Sequence, residues 1–256
     1  MPNLDIHQYP YGSDNYGVLL RDVNTGKTAA VDAGDADALL AALQVKSWQL
    51  DELWITHHHG DHTAGLTQVK QETGCFVRGP VERSAAIYGL DEHLDDGDTF
   101  QLGDQEVVVL HTPGHTTDMI NFHLPEEAVV FTGDTLFAMG CGRIFEGDAK
   151  MMWQSLRPFL ALPEATQLYC GHEYTLANAT FALSIDPDNS DLQARAKHVE
   201  SLRENGEPTL PSRLGDEFQT NPFLRPNDPA IRRLLGMENA TDAEVFAEIR
   251  RRKDNF

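Results

Sequence analysis

The sequence predicts an α/β domain followed by an all-α region, with the division near residue 173 and therefore units of 1–173 and 174–256. Three observations predict it. Short apolar runs alternate with turn signals and helical spacings up to residue 173, polar side chains able to bind metal recur where those runs end, and the later runs are helical. At 256 residues, with 41% hydrophobic and 23% charged residues, the chain is a soluble globular protein long enough to bury a sizeable core. No apolar run approaches the roughly 20 residues that span a bilayer.

In chain order, Tyr16–Leu20 and Ala29–Val31 read as strands around a turn at Asn24-Thr25-Gly26. Asp32 and Asp35 are then turn and capping residues, opening a helix with Leu39, Leu40 and Leu43 on one face. The next strand, Glu52–Ile55, runs into Thr56-His57-His58-His59-Gly60-Asp61-His62. Helical spacing follows over Thr63–Glu72, closed by Gly74, and a further helix is expected over Pro80–Gly89. A hairpin is expected from Thr99–Leu102 and Glu106–Leu110, and a second pair from Ile120–Leu124 and Ala128–Thr132. Gly140-Cys141-Gly142-Arg143 precedes a helix over Ala149–Leu160, and Gln167–Cys170 is the last strand. Beyond it, Asp191–Asn205 and Thr241–Lys253 are helices, the latter opened by the capping box Thr241-x-x-Glu244.

The net charge of −20 excludes nucleic acid and anionic membrane as default partners. Three widely spaced cysteines, Cys75, Cys141 and Cys170, do not make a disulfide framework and fit a reducing compartment. Residues Met1–Asp5 show neither a basic n-region nor an apolar h-region, so cytoplasm is the expected location, and the chain is expected to be a monomer.

The histidine cluster carries the chemistry. Imidazole and carboxylate donors suit zinc, iron or manganese, and a strand end leading into a helix is a rigid mount for them. His57 and His59 are two apart and point the same way in an extended segment, while Asp61 and His62 turn into the helix. His115, Asp134 and His172 stand at three other strand exits, and strand ends on one edge of a sheet converge. Seven donors in this pattern predict two metal ions with a carboxylate between them, and two cations sharing a water lower its pKa strongly. His58 points away from its neighbours. His7, His93, His123 and His198 fall outside the strand-exit pattern, His111 is a candidate supporting residue, and Cys141 serves its Gly-Cys-Gly turn.

The T-H-x-H-x-D-H signature followed by separate His, Asp and His residues resembles the metallo-β-lactamase superfamily. That resemblance implies an αββα sandwich, with His57, His59 and His115 on one metal, Asp61, His62 and His172 on the other, and Asp134 bridging. Further stretches narrow it: Gly133-Asp134-Thr135-Leu136-Phe137, Gly140-Cys141-Gly142-Arg143, Phe145-Glu146-Gly147, His172-Glu173-Tyr174-Thr175, Asn221-Pro222-Phe223-Leu224-Arg225 and Arg252-Lys253-Asp254-Asn255-Phe256. Together they look like the glyoxalase II (hydroxyacylglutathione hydrolase) family over essentially the whole chain. That family hydrolyses S-D-lactoylglutathione to D-lactate and glutathione, the second step of methylglyoxal detoxification.

The resemblance implies two divalent ions, zinc first with iron or manganese as alternatives. It also implies attack by a metal-bridging hydroxide with Asp61 and Asp134 as the catalytic carboxylates, and a glutathione thioester held by Arg143, Phe145, Tyr174, Arg250 and Lys253. Arg250 and Lys253, three apart on the last helix, share a face and suit two carboxylates; the same cations equally complement the negative end of the helix dipole. Arg143 and Phe145 stand where some members have Lys and Tyr, and Met119 where many have a second histidine. The alternatives are another hydrolase of the superfamily, a persulfide dioxygenase using one iron, and a metal-dependent binding protein that has lost catalysis.

Overall fold

In the computed structural model of the chain, residues 3–83 and 85–256 are described. Met1 and Pro2, part of the stretch read for a leader, and Ser84, within the helix expected over Pro80–Gly89, lie outside the described residues. The chain forms two compact units, one running through His111 and then Thr116–Gly133, the other comprising Thr112–His115 and Asp134–Phe256.

The first unit opens with three antiparallel strands, β1 (Leu4–Tyr11), β2 (Asn15–Asp22) and β3 (Thr28–Val31), paired Leu4↔Asp22 and Leu20↔Ala29. β1 was not expected, because most of its residues are half-buried and carry no clean alternation. From β3 onward the pairing is parallel, through β4 (Glu52–Trp54), β5 (Phe76–Pro80) and β6 (Glu92–Leu94). Parallel neighbours need crossovers. These are α1 (Ala36–Lys46) between β3 and β4, then the short α2 (Gly60–Thr63) and α3 (Leu66–Thr73) between β4 and β5.

Asp35 caps α1 by accepting the Ala38 N–H at 3.0 Å, and Gly74 ends α3 at φ +69°. The single helix expected over Thr63–Glu72 is broken at Gly65, where a Cβ would lie 2.5 Å from the Ala36 nitrogen. The helix expected over Pro80–Gly89 is absent among the described residues: Pro80 ends β5, and the described residues after it are bends, turns and irregular backbone leading to β6. Leu39 and Leu43 of α1 and Leu66 and Val69 of α3 share one core with Leu19, Ala30, Leu53, Ile55 and Val77 of the sheet.

The same unit holds an antiparallel meander of β7 (Thr99–Leu102), β8 (Gln105–His111), β9 (Ile120–Leu124) and β10 (Val129–Gly133). Both expected hairpins are present. Trp54, whose side chain leaves β4 opposite to Leu53, meets Phe100 edge-on at 5.1 Å and Phe122 at 5.3 Å, packing the two sheets face to face.

The second unit begins with a two-strand hairpin, β11 (Leu136–Phe137) and β12 (Gly140–Cys141). Asp148 caps α4 (Ala149–Leu156), which tightens into a 3₁₀ turn over Arg157–Ala161 at Pro158 and ends short of the expected Leu160. β13 (Gln167–Cys170) pairs with β14 (Ser212–Arg213), a strand that was not expected beyond residue 173. Two residues carry no period, so only the partner strand defines β14. The helices are α5 (Thr175–Ile185), α6 (Ser190–Glu204), α7 (Leu214–Thr220), α8 (Pro229–Leu235) and α9 (Asp242–Asp254), and α9 starts with the expected capping box. Phe223 joins Phe181 at 5.9 Å to Phe246 at 5.8 Å in their core.

A buried carboxylate organises the turn after Asp134. Glu217 of α7 accepts from the Met139 N–H at 2.7 Å and from Asn221 Nδ2 at 3.0 Å, and pairs with Arg195. Met139 sits at φ +53°, a conformation that a non-glycine residue holds only where its surroundings fix it. The three cysteines are buried free thiols. Among the described residues, no helix is long and apolar enough to cross a membrane.

Candidate metal centre

Each unit carries its own cluster of the predicted donors. In the first, β4 ends at Trp54 and the chain crosses Ile55 and Thr56 to His57, which is fully buried. Asp32, at the exit of β3 and at φ +61°, accepts from the Thr56 N–H at 2.8 Å and from Thr56 Oγ1 at 2.9 Å. With its proton committed to a carboxylate, the Thr56 hydroxyl accepts from His57 Nδ1, 2.9 Å away. His57 Nε2 is then the unprotonated nitrogen, and it lies 3.1 Å from His59 Nδ1.

Asp32 also accepts from His62 Nδ1 at 2.7 Å, which leaves His62 Nε2 as the lone-pair nitrogen, 3.6 Å from Asp61 Oδ2. One buried carboxylate therefore sets the tautomer of two imidazoles. Asp32 is a turn residue, as expected, and the structure adds a second role in holding Thr56 and His62, for which the available signal was an aspartate closing a buried strand ahead of a His cluster. Asp61 is placed by two residues that reasoning missed, Tyr11, whose hydroxyl donates to the Asp61 carbonyl at 2.7 Å, and Asn15, whose amide donates to Asp61 Oδ2 at 3.1 Å. His58 turns away as expected, and its Nδ1 meets the buried Asp118 carboxylate at 3.0 and 3.1 Å. His111 Nε2 reaches the Thr117 carbonyl at 2.9 Å, bracing the loop between β8 and β9.

In the second unit, Asp134 is 5% exposed, and its Oδ2 lies 3.4 Å from His115 Nε2 and 3.2 Å from His172 Nε2. His115 Nδ1 donates to the Arg143 carbonyl at 2.8 Å, so its Nε2 also carries the lone pair. Gly142 approaches so closely that a Cβ there would lie 2.0 Å from the Asp134 carbonyl oxygen.

These donor sets suit divalent metal. Two imidazoles on one tetrahedral ion, each about 2.0–2.1 Å from it, hold their nitrogens about 3.3 Å apart, close to the 3.1 Å between His57 Nε2 and His59 Nδ1. Three imidazoles have Nδ1 engaged with oxygen and Nε2 left to ligate, the usual arrangement around bound metal.

The five residues expected to contact substrate all belong to the second unit. Arg143 is exposed, Phe145 is 60% exposed with its ring edge-on to His115 at 5.2 Å, and Tyr174 stacks on His172 at 4.6 Å. Arg250 is buried. Its guanidinium donates to the Cys141 carbonyl at 3.1 Å and pairs with Asp254 at 2.7 Å. Lys253 donates to the Ala177 carbonyl at 3.1 Å, and burial together with the nearby Arg250 charge holds its ammonium down to about 8.

Residues 16–172 match the metallo-β-lactamase superfamily, and residues 173–256 match the C-terminal region of hydroxyacylglutathione hydrolase. A hydroxyacylglutathione hydrolase of Maricaulis maris is 51% identical over 256 residues, covering 100% of both chains. One from Mesorhizobium japonicum is 51% identical over 253 residues, covering 99% of each. The chain belongs to the hydroxyacylglutathione hydrolase family. Among solved structures, ETHE1 from Myxococcus xanthus superposes with a TM-score of 0.69 at 24% identity, covering 96% of this chain and 90% of that one. The B3 metallo-β-lactamase BLEG-1 gives 0.65 at 23% identity, covering 86% and 100%. At that identity they speak for the fold, which is the metallo-β-lactamase sandwich, here followed by the family's helical C-terminal region.

Proposed function

We propose that the protein hydrolyses S-D-lactoylglutathione and related 2-hydroxyacylglutathiones to the 2-hydroxy acid and glutathione. The observation that carries this is the match to the hydroxyacylglutathione hydrolase C-terminus over residues 173–256, joined to about half identity with that family over the full chain. It favours this substrate over those of other superfamily hydrolases and over a persulfide, because the superfamily ligands alone leave the substrate open.

His57, His59 and His115 would hold one divalent ion, Asp61, His62 and His172 the other, and Asp134 both. Zinc is the proposed metal, with iron or manganese accepted by the same mixed donors. Bound there, the ions supply Lewis acidity for the thioester carbonyl and a water that ionises near neutral pH. The chain's own residues do the rest. Asp32 and the Arg143 carbonyl keep protons on the Nδ1 atoms of His57, His62 and His115, so that each Nε2 stays free to ligate. Asp61, steadied by Asn15 and Tyr11, orients the attacking water. Arg143, Phe145, Tyr174, Arg250 and Lys253 would make the glutathione site within residues 174–256 and the loop before α4, Arg143 and Lys253 presenting charge to its carboxylates while the buried Arg250 guanidinium holds the Cys141 carbonyl. The leaving thiolate has a parent pKa of about 8.5, so no strong general acid is required. Buried free thiols at all three cysteines agree with a reducing, cytoplasmic setting.

The test is an assay of one metal-analysed sample against S-D-lactoylglutathione, acyl-CoA and a β-lactam. Turnover of the glutathione thioester, lost by about 10³-fold or more in His59→Ala and in Asp134→Ala with the fold intact, is the expected result. Cleavage of acyl-CoA or the β-lactam in its place would overturn the assignment.

A further inference from the structure

We propose that Tyr174 is a positioning residue for the metal ligand His172, in addition to any contact it makes with glutathione. This rests on the metal assignment of the proposed function. The two rings are parallel to within 3°, with centroids 4.6 Å apart. Phe137 stands edge-on to both, 6.0 Å from His172 at 83° and 5.4 Å from Tyr174 at 82°. The imidazole is 4% exposed while Tyr174 is 37% exposed, so one face of the phenol ring covers His172 and solvent reaches the remainder.

The frame around these rings is itself fixed. Tyr174 is the N-cap residue of α5, and its carbonyl accepts the Asn178 N–H at 2.9 Å. The Asn178 side chain donates to the Ala138 carbonyl at 3.1 Å, and Asn221 donates to the Phe137 carbonyl at 3.1 Å. Both aromatic rings beside the imidazole are thereby tied to backbone.

A ligand histidine must aim one lone pair, and rotation of the ring about its Cβ–Cγ bond swings that lone pair away. Oxygens at Nδ1 restrain His62 and His115. A flat ring stacked on the imidazole restrains the same rotation in His172, and it keeps Nε2 turned to Asp134 Oδ2 at 3.2 Å. The restraint comes from the face of the ring.

Zinc(II) affinity should be measured by competition with a chromophoric chelator for wild type, Tyr174→Phe, Tyr174→Leu and Tyr174→Met, with melting of each metal-free protein recorded beside it. Two aliphatic variants are used so that the result does not hang on the folding of one. Tyr174→Phe should bind both ions within about twofold of wild type, whereas Leu and Met should weaken one ion by about tenfold or more, the size seen when outer partners of metal ligands are removed. In cobalt(II)-loaded protein, the visible bands should change in Leu and Met and stay unchanged in Phe. Wild-type affinity for both ions in the aliphatic variants overturns the proposal, as does Tyr174→Phe weakening as much as Leu. Failure of the wild-type protein to take up divalent metal would instead overturn the metal assignment, and the proposal with it.

Discussion

Lys253 and Asp32 show how little of a side chain's working environment is local. Lys253 sits at the last turn of α9 where cations are expected, yet its ammonium lies over the Phe181 ring at 5.1 Å and is depressed to about 8 by burial and by Arg250. A lysine lowered in the fold from about 10.4 makes folding costly while it is charged. Stability is therefore reduced below pH 8 and recovers as pH rises from about 8 towards 10.4, where the unfolded chain alone keeps the proton. Lys253→Met should be the more stable protein at pH 7 by urea unfolding, with the difference shrinking between pH 8 and 10; a constant difference would sink the argument. At Asp32, 24 to 30 positions separate the carboxylate from the Thr56 and His62 it serves, so no spacing rule points to it.

At the scale of elements, the candidate site depends on how closely turns approach the loop that follows β4. In the turn between β3 and α1, a Cβ on Gly34 would fall 1.8 Å from the Asp61 carbonyl oxygen and 2.7 Å from the Tyr11 ring. Gly34→Ala should push Asp61 off its Tyr11 and Asn15 partners, costing about 1–3 kcal/mol as overpacking does. The urea midpoint should drop and metal bound per chain should fall with it, whereas wild-type metal content in a folded Gly34→Ala protein would show that the loop absorbs the methyl. Elements with strong local signals were legible: Asp35 as a cap, Gly74 as a stop and the Thr241–Glu244 box. The helix expected over Pro80–Gly89 failed, and β6 and β14 went unseen, because two- and three-residue strands exist only through their neighbours.

For the whole molecule, the governing quantity is a net charge of −20 acting on an anionic substrate. Repulsion at long range slows encounter, and salt screens it over a Debye length of about 10 Å at 0.1 M. Arg143 and Lys253 are too few to reverse that field. kcat/KM for the glutathione thioester should rise as ionic strength goes from about 0.01 to 0.1 M; a fall would show that the cations at the site dominate encounter.

The sequence by itself determined the strand-exit placement of seven donors, the mainly helical character of the chain after Cys170, and the family. These are properties of short spacings and of stretches read whole. Only the tertiary structure decided which nitrogen of His57, His62 and His115 is left to ligate, that Arg250 is buried against the Cys141 carbonyl, and that Tyr174 lies flat on His172. Each of these turns on a hydrogen-bond or ring partner whose position is set by packing rather than by distance along the chain.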